Sequence, residues 1–111
     1  MSIFEDRERA AERKLEQENE FAFKLVARRN KLLGLWAAGH MGLSGTDAAR
    51  YAMDLVEAGI AKQDDKALTR KITDDLVTRG FPIVERDVQQ QLQVLTARAR
   101  AELLRGISRH T

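Results

Sequence analysis

The chain has 111 residues, of which 43% are hydrophobic and 32% charged, with a formal net charge of +2 and no cysteine. That length holds one small domain with a single core, and the missing thiols exclude disulfides, cysteine nucleophiles and thiolate metal sites together. No apolar run approaches the roughly 20 residues that span a bilayer, and the start MSIFEDRERAAERK lacks the core of a signal peptide, so a cytoplasmic protein that is not inserted in a membrane is expected.

Ala, Leu, Glu, Arg, Lys and Gln dominate a sequence with a single Pro. No stretch alternates apolar and polar residues as a strand would, and the composition favours helix throughout. The expected fold is all-α: a four-helix bundle with a long first helix and a weakly anchored N-terminal arm.

From about Ile3 to His40 nothing stops a helix, because Pro is absent and the first Gly is Gly34. Residues 1 to 20 carry seven acids against four bases, an acidic mixed-charge start. Within it Phe4, Ala11 and Leu15 share one face, and the stripe thickens only later, through Ala22, Leu25, Val26, Leu32, Leu33 and Trp36. Like charges at Glu12, Glu16 and Glu20 each cost about 0.2 to 0.5 kcal/mol per pair, and Glu5 with Arg9 returns a similar amount. Ordering a residue costs about 1 to 2 kcal/mol of backbone entropy, more than so thin a stripe offsets. Residues 1–19 therefore read as an arm, disordered or marginally helical when free and suited to folding on a partner, and residues 20–111 as the four-helix body.

The block RRNKLLGLWAAGHMGLSG, residues 28–45, holds the only Trp and four of the seven Gly. Glycine-rich turns before helices bind phosphates through backbone amides. Here there is no GxxxxGK[ST] and no preceding strand, so a nucleotide-hydrolysing loop is excluded. A weak anion or nucleotide contact is expected at most at the start of the second helix or beside Arg28, Arg29 and Lys31. Gly34 and Gly39 are read as admitting a neighbouring helix, Trp36 as the centre of the core, and His40 as a cation favoured by a helix C-terminus rather than a ligand.

Gly42 is placed as a left-handed stop, and Ser44 as a cap with Asp47 three residues on. A second helix then runs from about Gly45 to Ala58, burying Ala48, Tyr51, Ala52, Leu55 and Val56, and Gly59 ends it. A third starts at a capping Asp64 or Asp65, presents Leu68, Ile72 and Leu76 on one face, and stops at Gly80. Pro82 breaks the chain before a fourth helix, Ile83 to about Ile107, with Val84, Val88, Leu92, Leu95, Ala99 and Leu103 along one stripe. The core expected from these faces is Leu32, Leu33, Trp36, Tyr51, Leu55, Leu92 and Leu95.

Catalysis needs groups that converge, and few are available. His40 and His110 are the only histidines, the latter read as tail. The acidic pairs Asp64–Asp65 and Asp74–Asp75 point about 100° apart on a helix and cannot chelate together. The expectation is no enzyme, no metal and no required cofactor. Residues 84 to 111 carry five arginines against three acids, too sparse a basic face for nucleic acid.

FEDRERAAERK at 4–14 followed by RRNKLLGLWAAGHMGLSG at 28–45, in that order and spacing, resembles the zeta subunit of the alphaproteobacterial F-type ATP synthase, a small helical inhibitor of the catalytic head. The match covers the first half of the chain; the second half, including TRKITDDL, fits more loosely. The resemblance implies a four-helix bundle whose arm folds into the cleft between an alpha and a beta subunit and blocks ATP hydrolysis. It implies Phe4, Asp6, Arg7, Glu8, Arg9 and Ala10 as the matching arm positions, with Arg13 beside them. Phe4 is the expected apolar anchor, and Arg7 and Arg9 the expected partners of carboxylates on the head. The implied partners are the alpha, beta and gamma subunits of that head, reached by peripheral association with the inner-membrane synthase, and the free protein is expected to be a monomer. Weak ATP or ADP binding, at no assigned residue, comes with the family. The segment LEQENEFAF departs from the family pattern in its Glu and Asn content. A non-inhibitory assembly partner of the same head and a small helical nucleotide-binding module are the competing functions.

Overall fold

The computed structural model describes residues 2–62 and 64–109, with side chains described except at 60–62 and 107–109. His110, read as tail, lies outside the described residues. Four helices follow in order, α1 (Ile3–His40), α2 (Gly45–Lys62), α3 (Asp65–Thr78) and α4 (Glu85–Arg109), and the described residues hold no strand. The all-α, four-helix organisation expected of the sequence is the one adopted. With 38 residues α1 is about 57 Å long, which accounts for a molecule 64 Å in one direction and only 28 and 22 Å in the others.

Glycine sets two of the helix ends. After α1, Gly42 takes φ 80° while Leu43 N–H donates to the Ala38 carbonyl at 2.9 Å and Gly42 N–H to that of Gly39 at 3.2 Å. After α3, Gly80 at φ 86° does the same, with Phe81 N–H on the Leu76 carbonyl at 2.9 Å. Both are Schellman closures, which need a left-handed residue at that point. The start of α3 is capped by Asp64, whose carboxylate accepts from Lys66 N–H at 3.0 Å and Ala67 N–H at 3.3 Å. That leaves Asp65 free for another contact.

Three local expectations are corrected. Gly59 does not end α2, which continues to Lys62; a Cβ at Gly59 would collide with the Asn30 side chain, so this glycine serves close packing. Ser44 does not cap α2; Gly45, at φ 56°, turns the backbone into the helix. Finally, α4 begins at Glu85 rather than Ile83, and Val84 stands 60% exposed outside the stripe, because Pro82 and the residues around it remain non-helical.

Helix α1 is the hub: it packs on α2, α3 and α4, whereas among the described residues no Cα of α2 lies within 8 Å of one of α4. Its buried face is Asn30, Leu33, Gly34, Ala37 and Ala38. Of these, Leu33 and Ala37 join Leu55, Leu68, Ile72, Leu76, Val88, Leu92 and Leu95 in one apolar core. Gly34 lets α2 in closely, as expected, but Gly39 has no atom near enough to matter and is not a contact glycine.

Of the expected core, Leu33, Leu55, Leu92 and Leu95 are buried, while Leu32, Trp36 and Tyr51 are half-buried around it. Trp36 is therefore not the centre. Its ring meets His40 edge-on at 4.8 Å, and His40 in turn lies 4.6 Å from Phe81, so three rings close the end of the bundle. Tyr51 ties α2 to α3 by donating its hydroxyl to Asp75 at 2.8 Å. Burial first, and this hydrogen bond second, push its phenol well above the ordinary value.

Candidate functional site: an exposed helical arm

The chain's most distinctive surface is the first half of α1. Ser2 caps it from an extended conformation, its hydroxyl accepting from Glu5 N–H at 3.3 Å, and Glu5 and Asp6 lie in the first turn. Acids there are favoured by the helix dipole. Every residue from Ser2 to Glu20 is exposed. Ile3 and Phe4 are 71% and 78% accessible and Leu15 is also open to water. None of the arm's apolar side chains is spent on the body's core.

At about 100° per residue, Phe4, Ala11 and Leu15 fall on one side, with Arg7 and Lys14 beside them. Arg9, Arg13 and Asp6 lie on the reverse, and Glu8 and Ala10 on the flanks. The seven arm positions implied by the resemblance thus surround the helix, with no empty sector wider than about 100°. Residues so distributed cannot all touch a flat surface. They suit a cleft that encloses the helix. Ile3, not among the expected site residues, adds a second exposed apolar group one residue from Phe4; its position at the very start of the pattern hid it from periodicity.

The second candidate group is not gathered into one place. Arg28 reaches α4, donating to Glu102 at 3.0 Å. Arg29 reaches the first turn of α3 with a two-pronged contact to Asp65, at 2.8 and 3.3 Å, and its Nε donates to Asn30 Oδ1 at 3.2 Å. Lys31 is exposed on another side of α1. The two arginines work as struts from α1 to its neighbours. Glu102 also accepts from Arg98 at 2.9 Å, and hydrogen bonds from Arg28 and then Arg98 hold its carboxyl below the usual carboxylate range.

Among the described residues no cluster of three or more His, Asp or Glu could hold a metal ion. No helix among them is long and apolar enough to cross a membrane. The geometry offers a projecting helix for a protein partner.

Comparison with known proteins bears on which partner. A protein solved by solution NMR is similar in fold and sequence, with a TM-score of 0.65 and 37% identity over 76% of this chain and 95% of that one. No curated protein matches. The family model described as ATPase inhibitor subunit zeta matches residues 1–102, arm and body together. On that match the chain belongs to the family of ATPase inhibitor zeta subunits.

Proposed function

We propose that the chain inhibits ATP hydrolysis by an F-type ATP synthase, inserting the arm of α1 between an alpha and a beta subunit of the catalytic head. The observation that carries this is the exposure of every side chain from Ser2 to Glu20, three of them large and apolar. A helix that buries nothing of its own gains the apolar free energy, about 25 cal/mol per Å², only by meeting another surface. Phe4 and Ile3 enter the apolar part of the cleft, Arg7 and Arg9 meet carboxylates of the head, and the body stays outside. The block is steric: with the cleft filled, the interface cannot pass through the closed and open states that hydrolysis requires. Nothing in the mechanism calls for a bound cofactor or a catalytic side chain from this chain.

The test is ATPase activity of isolated heads titrated with the intact protein and with a version lacking residues 2 to 19. Inhibition by the intact chain and none by the shortened one is expected. Heads that bind both forms and hydrolyse ATP at an unchanged rate would make the protein an assembly partner instead.

A further inference from the structure

Because α2 and α4 flank α1 with no Cα of one within 8 Å of the other among the described residues, the strip of α1 between them is the floor of an open groove of about 710 Å³. Leu32 and Leu35 form the floor, Met53 and Val56 of α2 one wall, and Leu103 of α4 the other. Met53 is 52% exposed and Leu35 37%, so apolar side chains face water along the groove. Its rim carries Lys24, Arg28, Lys31 and Arg98 against the single carboxylate Glu102. Arg28 and Arg98 share that carboxylate and Lys24 pairs with Glu20 at 3.1 Å; the rim still keeps an excess of positive charge, and Lys31 has no ion-pair partner among the described residues.

The groove is continuous with the arm. Arg13, Lys24 and Lys31 are spaced by eleven and seven residues, which sets them within about 20° of one another around α1. Basic side chains thus line this side of α1 from the exposed arm into the groove, with Glu20 set among them and paired to Lys24. From Lys24 to Leu35 the floor is about 16 Å long, three turns of helix, and a groove between two helices receives a third by its apolar face.

We infer that this groove docks an acidic amphipathic helix on the ATP synthase head, seating the body beside the cleft that the arm enters; this rests on the inhibitory function proposed above. The chain's own arm is acidic too, but it cannot fold back into the groove. No Gly or Pro interrupts α1 between Ile3 and Leu33, so a reversal would have to break a regular helix. The arm of a second copy is the other occupant of matching charge.

The experiment compares full-length wild type with Lys31→Glu and Met53→Glu, two exposed positions. It measures affinity for isolated heads at low and raised salt, inhibition at saturation, melting temperature, and sedimentation of the chain alone over a hundredfold concentration range. The expected result is about tenfold weaker binding for each variant, unchanged melting, full inhibition once saturated, and a smaller salt effect for Lys31→Glu. Lys31→Ala, which removes the charge without reversing it, should fall between. Unchanged affinity of both variants for heads that wild type inhibits overturns the groove assignment and leaves arm insertion standing. Wild type that neither binds nor inhibits overturns both. Self-association that Met53→Glu abolishes gives the groove to a second copy and overturns the head as its occupant.

Discussion

Gly34 of α1 and Ala52 of α2 meet backbone to backbone: a methyl group built on Gly34 would stand 2.7 Å from the Ala52 Cα and 3.0 Å from Leu55 Cδ1. The Leu55 methyl can shift but the Ala52 Cα is backbone and cannot, so the two helix axes would have to separate. Gly34→Ala is expected to destabilise by about 1 to 3 kcal/mol through overpacking, more than the ~1 kcal/mol that alanine gains over glycine in a helix. Gly39→Ala, five residues along the same helix with nothing within 4 Å, keeps only the gain. Thermal melts of the pair should move in opposite directions, and a common direction would remove the close approach as the reason for Gly34.

The single tyrosine makes a second test direct. Tyr51 donates to Asp75, which also accepts from Lys71 at 3.1 Å. Tyr51→Phe should cost about 1.5 kcal/mol, the low end of what a hydrogen bond to a charged group contributes, because the site is half-buried. In wild type, phenolate absorbance should not rise at the ordinary tyrosine value of about 10, because burial and the Asp75 bond favour the neutral form. Stability should accordingly fall as pH rises past about 10, where the unfolded phenol ionises and the folded one does not. A phenol titrating normally in the folded chain would contradict this link.

Acid probes the α1–α4 strut. Glu102 has its folded pKa lowered by Arg28 and Arg98, so its contribution is complete above the unfolded carboxylate value of about 4.3 and disappears as pH falls through the lower folded value. Melting temperatures of wild type and Glu102→Gln should differ by a constant amount from neutral pH down to about 4.3, then converge. A gap that persists in strong acid would show that the side chain acts by packing and not by charge.

Phe4 and Trp36 separate arm from body. Phe4→Ala, at a side chain 78% exposed, should leave the melt within about 0.5 kcal/mol of wild type while weakening inhibition of head ATPase. Trp36→Ala should lower stability by about 2 kcal/mol, short of the 3 to 5 typical of a fully buried Trp, because its ring covers the core from one side and rests on His40. Equal loss of stability in both variants would mean that the arm packs on the body in solution.

The features legible in the sequence were those with local causes. The uninterrupted run from Ile3, the left-handed stop at Gly42, the stop at Gly80 and a cap at Asp64 or Asp65 depend on a few consecutive residues, and each appears where the local chemistry puts it, the cap falling to Asp64. The arm's exposure was legible for a related reason, since its apolar stripe is thin and its charges face one another. What escaped depends on partners far along the chain. Gly59 looked like a stop because glycine commonly is one, but Asn30, twenty-nine residues earlier, needs that space. Arg28 and Arg29 looked like an anion site, yet their carboxylates come from residues 74 and 36 positions away. The groove was half-visible: Met53 sits on the side of α2 away from Tyr51 and Leu55, an apolar residue on the wrong face of the helix.

The unbroken α1 also joins arm and body in phase. Each residue of helix advances about 1.5 Å and turns about 100°, so whatever grips Phe4 also fixes the compass bearing of Leu35 more than 40 Å away by the same rise. A residue added near Glu18 would leave every contact of the arm and every contact of the core intact, yet swing the body by about 100°, a little over a quarter of the way round. Seven added residues would restore its bearing to within about 20° while carrying it about 10 Å outward. In this molecule the count of residues between two sites is itself a functional quantity, like the length and keying of a shaft.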